Sequence, residues 1–119
     1  MSYTKLTGNK GEDLAAAWIS EKGYIILHRN WRFKQWEVDI IASKENKLHF
    51  FEIKTRTSAL YGHPEESIGK TKMKSLLRAA EEYLYLHPQW KFVQFDVLSI
   101  TMLKAKPVEY FLIEDVYFE

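Results

Sequence analysis

Two neighbouring segments of alternating apolar and polar character, between Trp36 and Thr57, constrain the fold of this chain most strongly. Alternation with a period of two is typical of β-strands, and the intervening Glu45-Asn46-Lys47 segment suits a tight turn. We therefore predict an antiparallel hairpin. Glu52 and Lys54 share one face of its second strand, and pairing would bring Asp39 of the first strand close to Glu52. Two carboxylates and an ammonium group would then converge on one sheet surface.

Length and composition are those of one ordinary globular domain, spanning residues 1–119. The chain contains no cysteine, which excludes a disulfide framework and a thiolate site. No apolar run approaches the ~20 residues of a membrane helix, and the N-terminal residues lack an apolar signal region. We therefore expect no membrane partner and predict the cytoplasm as the location.

Apolar periodicity and turn residues divide the rest of the chain into two helices and three further strands. The first helix is expected from Lys10 or Gly11 to Gly23, and the second from Lys70 to His87. The other expected segments are strands over Tyr24–Asn30, Phe92–Ile100 and Glu109–Phe118, a turn at Trp31–Gln35 and a loop at Thr57–Gly69. This order predicts an α/β fold bordering on α+β, with a mixed central sheet flanked by helices.

Carboxylates on the hairpin are candidates for holding a cation. On the first strand, alternation would turn Val38, Ile40 and Ala42 to one face and Glu37, Asp39 and Ile41 to the other. Two close carboxylates repel each other, and a divalent cation with a preference for oxygen ligands, Mg²⁺ or Mn²⁺, removes that penalty. Such an ion can activate water for attack on a phosphodiester. The alternative is an exposed Glu/Lys ladder, a common pattern on strands.

Glu12, in the first helix, lies at the margin of the apolar stripe formed by Leu14, Ala15, Trp18 and Ile19. A carboxylate in a first helical turn interacts favourably with the helix N-terminus, by about 0.3–1 kcal/mol. Alternatively, Glu12 reaches the same site as Asp39. Spacing alone favours the first explanation.

Basic residues are concentrated in the middle of the chain. From Lys54 to Arg78 there are six basic residues and two acidic ones, whereas three lysines accompany seven acids from Ala79 onward. Lys70, Lys72 and Lys74 begin the second helix, where free backbone N–H groups favour phosphate. A nucleic-acid surface and an ordinary solvated helix face are both compatible with this distribution.

A set of motifs along nearly the whole chain resembles a bacterial family often called YraN-like. The motifs are Gly11–Ala16, Gly23–Leu27, Arg29–Arg32, Glu37–Ala42, Phe51–Arg56, Tyr61–Glu65, Lys72, Ala79–Ala80, Tyr83–Leu84 and Phe95–Val97. That family is in turn similar to the PD-(D/E)xK nuclease superfamily, which includes archaeal Holliday-junction resolvases. The resemblance implies a restriction-endonuclease-like core.

The resemblance also implies roles for particular residues. Asp39, Glu52 and Glu12 would hold metal with help from the Ile53 backbone carbonyl, and Lys54 would be the catalytic lysine. Apart from the resemblance, the basic residues expected to contact phosphates are Arg32, Arg56, Lys70, Lys72 and Lys74, and Glu37 and Asp96 are candidates for accessory roles. Asp96 would be either a group that supports a metal ligand or a buried ion-pair partner. Two residues depart from the pattern: Val38 replaces the superfamily proline, and Trp36 replaces the family glycine and would either alter the turn or narrow access to the site.

Three hypotheses follow. The first is a Mg²⁺- or Mn²⁺-dependent endonuclease, with DNA favoured over RNA as substrate and a role in repair or recombination. The second is a nucleic-acid-binding module that does not cleave, and the third is a structural or interaction domain. A homodimer is expected by analogy with the resolvases only.

Overall fold

The computed structural model describes residues 3–57 and 70–116, and within them the side chains of residues 10–57 and 73–116. Its elements are α1 (Tyr3–Glu21), β1 (Ile25–Phe33), β2 (Trp36–Lys44), β3 (Lys47–Arg56), α2 (Lys70–Leu86), β4 (Phe92–Thr101) and β5 (Glu109–Ile113). The predicted order of helices and strands is confirmed. None of the described helices has the length and apolar character needed to span a bilayer.

The five strands form one mixed sheet in the order β1-β2-β3-β4-β5. The β3–β4 pair is parallel, and the other three pairs are antiparallel. The turn between β2 and β3 uses Glu45 and Asn46, both with positive φ (51° and 66°), which matches the right-handed twist of the strands. The predicted hairpin is therefore confirmed.

One helix covers each face of the sheet. On the α1 side, Ala15 and Ile19 pack with a buried cluster that includes Ile40, Phe51 and Leu98. On the α2 side, a second buried cluster comprises Val38, Ile41, Leu48, Phe50, Met73, Leu76, Ala79, Ala80 and Tyr83. The fold is therefore a mixed α/β sandwich of helix, sheet and helix.

Three predicted boundaries are wrong. The strand predicted over Glu109–Phe118 ends at Ile113, and Asp115 after it has a φ of 54°, which is not a strand conformation. α1 begins at Tyr3 rather than at Lys10, because a glycine inside a helix costs only about 1 kcal/mol and does not stop it. The segment predicted as a turn at Trp31–Gln35 is mostly strand, since Phe33 pairs with Trp36 and the turn needs only Lys34 and Gln35. Lys34 has a φ of 57°. The loop predicted over Thr57–Gly69 lies outside the described residues beyond Thr57.

Candidate active site

The strands β2 and β3 separate halfway along their length. Their pairing runs from Lys44–Lys47, beside the turn, to Ile40–Phe51. Beyond this point β2 continues beside β1 as far as Trp36, while β3 continues beside β4 as far as Arg56. We call the opening, between residues 36–39 of β2 and 52–56 of β3, the strand fork.

Asp39 lies in the strand fork. Its Oδ2 accepts a hydrogen bond of 2.8 Å from the backbone N–H of Ile53. This N–H belongs to the peptide that joins Glu52 to Ile53, so the Asp39 carboxylate lies against the β3 backbone beside Glu52. The hairpin therefore holds the Asp39 carboxylate at the β3 backbone, at the residue that follows Glu52.

Both β1 and β2 break the regular alternation of their side chains near Asp39. We call this irregularity the two-residue step, and it turns Asp39 towards α1. Val38 and Ile41 both belong to the α2-side cluster, although strict alternation would place them on opposite faces. The same step occurs in β1, where His28 and Trp31 both contact Tyr83 of α2. Asn30 lies within the step, with a φ of 54°, a conformation that asparagine tolerates better than most residues. The predicted grouping of Val38 with Ile40 and Ala42 is therefore wrong.

The close approach of α1 to β3 depends on Gly11. Gly11 is buried against Thr55, and a Cβ atom at position 11 would overlap the Thr55 side chain. Thr55 follows Lys54 on β3, so this contact holds the α1 residue next to Gly11, Glu12, near the strand fork. Asp13 points outward and forms an ion pair of 2.7 Å with Arg29.

Glu12 lies in a negative environment on the α1 side of the strand fork. Burial raises the pKa of its carboxyl group, and the nearby carboxylates of Asp39 and Glu37 raise it further. Arg29 and a hydrogen bond from the Asn30 side chain lower the pKa, but the net shift is upward. The structure therefore brings Glu12 and Asp39 within electrostatic reach of each other.

Glu52 is buried, with 3 % of its surface exposed, and its Oε1 lies 3.7 Å from the Nζ of Lys54. A buried carboxylate needs such a partner, because removal from water costs several kcal/mol. Alternation along β3 places both side chains on the α2 side, since Leu48 and Phe50 belong to that cluster. The prediction that Glu52 and Lys54 share a face with Leu48 and Phe50 is confirmed.

The carboxylates do not share one sheet surface, as alternation alone had predicted. Glu12 approaches from the α1 side, Glu52 from the α2 side, and Asp39 lies in the strand fork between them. Among the described residues, no three histidine or acidic side chains lie close enough together to hold a metal ion as placed. Each carboxylate is instead directed to a donor within the protein. The two-residue step in β2 causes the difference, because it moves Asp39 away from the face of Glu52.

The oxygen-rich donor set still suits a hard divalent cation. Carboxylates and backbone carbonyls are the ligands that Mg²⁺ and Mn²⁺ prefer, and three carboxylates approach the strand fork from three different elements. The backbone carbonyl of Ile53 was predicted to help hold the metal. The Ile53 group that the structure shows in contact with the site is its N–H, which donates a hydrogen bond to Asp39.

The predicted phosphate-binding residues are distributed over two regions. Arg32 and Arg56 lie at the ends of β1 and β3, which point the same way and border the strand fork. Arg32 is paired with Glu37 at 3.0 Å. Lys74 is exposed on α2. The side chains of Lys70 and Lys72 lie outside those that the structure describes.

The two predicted accessory residues have different surroundings. Glu37 raises the pKa of Glu12 and therefore borders the site. Asp96 pairs in register with Phe51 and so lies on the α1 side, where it bonds to His49 and Gln94. The structure thus makes Asp96 a buried hydrogen-bonding partner remote from Lys54.

Trp36 lies in the part of β2 that borders the strand fork. Its half-buried side chain packs against the α2-side cluster. Cross-strand pairing places Trp36 on the same face as Val38 and Trp31. The effect of Trp36 on the turn or on access to the site stays a prediction.

Sequence reasoning assigned no role to Arg29 or Asn30, although both lie in one of the motifs. Both reach the α1 side through the two-residue step and contact Asp13 and Glu12. The one available signal was Asn30 itself, since asparagine inside a strand often marks a left-handed residue.

Comparisons with known proteins match most of the chain to one protein family. Residues 11–100 match the model of the uncharacterised protein family UPF0102. A UPF0102 protein of Chloroherpeton thalassium is 40 % identical over 118 residues, covering 92 % of both chains. A UPF0102 protein of Bacteroides thetaiotaomicron is 43 % identical over 93 residues, covering 78 % of this chain and 77 % of its own. The chain therefore belongs to the uncharacterised protein family UPF0102.

Proposed function

We propose that this protein is a Mg²⁺- or Mn²⁺-dependent nuclease that hydrolyses nucleic-acid phosphodiester bonds, with DNA as the expected substrate. The observation that carries the proposal is the strand fork, where Glu12, Asp39 and Glu52 approach one opening from α1, β2 and β3. Mixed strand pairing with one helix on each face is also compatible with the restriction-endonuclease-like core that the motifs imply.

In this proposal Glu12, Asp39 and Glu52 hold the cation, which would lower the pKa of bound water and stabilise charge on the phosphoryl oxygens. Lys54 orients the attacking water and neutralises negative charge that develops at phosphorus. Its distance of 3.7 Å from Glu52 keeps its ammonium group beside the proposed ligands. Arg56, at the end of the same strand, is suited to binding a neighbouring phosphate.

The first test is stabilisation by metal alone. A ligand that binds only the native state raises stability by about 2.7 kcal/mol at a concentration of 100 times its Kd. Mn²⁺ is expected to raise the Tm of the wild type by several degrees and to leave the Tm of Asp39→Asn and Glu52→Gln unchanged. Asp13→Asn is the matched control, because Asp13 is 73 % exposed and adjoins Glu12 without facing the strand fork. Full stabilisation of both site variants would contradict the proposed ligands.

The second test concerns Lys54. Lys54→Ala is expected to retain Mn²⁺ stabilisation and to lose cleavage of DNA, by about two orders of magnitude or more. Lys91→Ala, which removes an exposed lysine at the opposite end of the sheet, is the control. Cleavage that survives Lys54→Ala would contradict the mechanism.

A second candidate function is a nucleic-acid-binding module that does not cleave. It is favoured by the direct Glu52–Lys54 ion pair and by the separation of the carboxylates on two sides of the sheet. This alternative predicts salt-dependent DNA binding that persists in Glu52→Gln, together with no stabilisation of the wild type by Mn²⁺. Cytoplasmic location and homodimerisation stay predictions under both functions.

A further inference from the structure

The β1–β2 hairpin extends beyond the sheet at the strand fork. Past Ile40, β2 pairs with β1 but no longer with β3. Residues 31–38 therefore form a two-stranded segment that ends at the Lys34-Gln35 turn, and we call this segment the tip ribbon. Its turn lies about 13 Å along the strand from Asp39. The tip ribbon is thus a projection directly beside the carboxylates.

One face of the tip ribbon is aromatic. Cross-strand pairing places Trp31 opposite Val38 and Phe33 opposite Trp36, so these side chains share one face. Trp31 and Trp36 pack against the α2-side cluster, which anchors the ribbon. Phe33 packs against neither buried cluster among the described residues. Its ring is 5.8 Å from that of Trp36, and its side chain is half-buried.

The tip carries cations on the same segment. Lys34 Nζ lies 5.3 Å from the centre of the Phe33 ring, and Lys34 is exposed. Arg32 is on the opposite face, with 69 % of its side chain exposed, and is paired with Glu37. The tip therefore combines an aromatic ring outside the core with two cationic side chains, next to the proposed cleavage site.

We propose that the tip ribbon binds an unpaired base of the nucleic acid, with Phe33 stacking on the base and Arg32 and Lys34 contacting the flanking phosphates. This inference rests on the proposed nuclease or nucleic-acid-binding function and adds a substrate class to it. A ring can stack only on a base whose face is uncovered, and an intact duplex covers the faces of its internal bases. The substrate class is therefore DNA with unpaired bases, single-stranded or branched, rather than intact duplex.

Binding measurements in EDTA test this inference, since cleavage is then suppressed. The probes are a short single-stranded DNA containing one 2-aminopurine and the same strand in a blunt duplex. The wild type is expected to bind the single strand more tightly and to quench its 2-aminopurine fluorescence by stacking. Phe33→Ala is expected to weaken single-strand binding about tenfold and to abolish the quenching, with little change for duplex. Phe33→Trp is expected to retain both.

Two matched controls lie at the opposite end of the sheet. Phe92 is 66 % exposed at the start of β4, so Phe92→Ala removes an exposed phenylalanine away from the strand fork. Lys34→Glu is compared with Lys91→Glu, which makes the same change of charge at another exposed lysine. Only the tip variants are expected to weaken binding, and Lys34→Glu is expected to reduce its dependence on salt.

The possible results distinguish a failure of the tip-ribbon proposal from a failure of the proposed nuclease or nucleic-acid-binding function. If Phe33→Ala and Lys34→Glu bind single-stranded DNA as tightly as the wild type does, the proposed role of the tip ribbon is overturned. The proposed function of the protein is not affected by that result. Equal wild-type affinity for single strand and duplex would also overturn the substrate class. A wild type that binds neither DNA would overturn both proposals.

Discussion

Two clusters of polar side chains occupy the same sheet and differ in how their charges are compensated. The buried network comprises His49, Gln94 and Asp96, and the carboxylate cluster comprises Glu12, Asp39 and Glu52. The buried network brings an acid together with groups that can donate hydrogen bonds to it. The carboxylate cluster brings acids from three elements towards one opening, and the carboxylates of Asp39 and Glu37 raise the pKa of Glu12 there. The first arrangement stabilises the fold, whereas the second is the place of the proposed cation.

Both oxygens of the Asp96 carboxylate have hydrogen-bond partners within or beside the buried network. Its Oδ2 lies 2.7 Å from His49 Nδ1, and its Oδ1 accepts hydrogen bonds from Gln94 Nε2 at 2.8 Å and from the Asp115 N–H at 3.0 Å. These contacts join β3, β4 and the segment after β5. Burial, followed by the Asp96 and Glu114 carboxylates, raises the pKa of the adjacent Tyr24.

Two irregularities of the sheet, the strand fork and the two-residue step, bring the residues of the carboxylate cluster together. The strand fork exposes the Ile53 N–H that binds Asp39, and the two-residue step turns Asn30 towards Glu12. Regular pairing would have given that N–H to a strand neighbour and would have turned Asp39 to the opposite face. Where this sheet is regular, it gathers hydrogen-bond donors around one acid, and where its strands separate, it brings several acids towards one another.

The largest loss of stability is expected when Asp96 is removed from the buried network. Asp96→Ala is expected to lower the free energy of unfolding by about 3–5 kcal/mol, because buried donors lose their acceptor. Urea-induced unfolding at neutral pH measures the effect. Asp13→Ala, which breaks the exposed ion pair with Arg29, is the control and should cost less than about 1 kcal/mol. Similar losses in the two variants would show that the buried network contributes no special stability.

The contact of Gly11 with Thr55 tests the placement of the carboxylate cluster. Gly11→Ala is expected to cost about 1–3 kcal/mol, because the added Cβ overlaps Thr55, in spite of the higher helix propensity of alanine. It is also expected to reduce stabilisation by Mn²⁺, since α1 carries Glu12. The double variant Gly11→Ala/Thr55→Ala should recover part of the lost stability in urea. A fully stable Gly11→Ala with unchanged response to Mn²⁺ would contradict the close approach.

The smallest effect is expected for Glu12, measured by unfolding in EDTA as a function of pH. Because the folded state raises the pKa of Glu12 above its ordinary value of 4.5, the native protein binds more protons than the unfolded chain in the interval above that value. Stability from this group therefore falls as pH rises through the interval. Glu12→Gln removes that fall and should be more stable than the wild type at neutral pH, by less than about 1 kcal/mol. Asp13→Asn is the control, and an unchanged pH profile in Glu12→Gln would contradict the negative environment.

Much of the fold followed from local patterns. Alternation predicted the β2–β3 hairpin, and apolar spacing predicted α2 from Lys70 to within a residue of its end at Leu86. These patterns are reliable because burial of one face imposes its period directly on the sequence. The N-terminal extent of α1 was not predictable in this way, since the apolar stripe that indicated the helix begins only at Gly11.

The sequence by itself determined which residue types are available to a site: Glu12, Asp39, Glu52 and Lys54, without cysteine and with basic residues near the middle of the chain. Tertiary structure alone decided how they meet. The step that moves Asp39 out of alternation and the end of β2–β3 pairing at Ile40 depend on contacts between strands, and so does the recruitment of Asn30. Such contacts join residues far apart in the chain, whereas a local period describes only neighbours, which is why the strand fork could not be derived from the sequence.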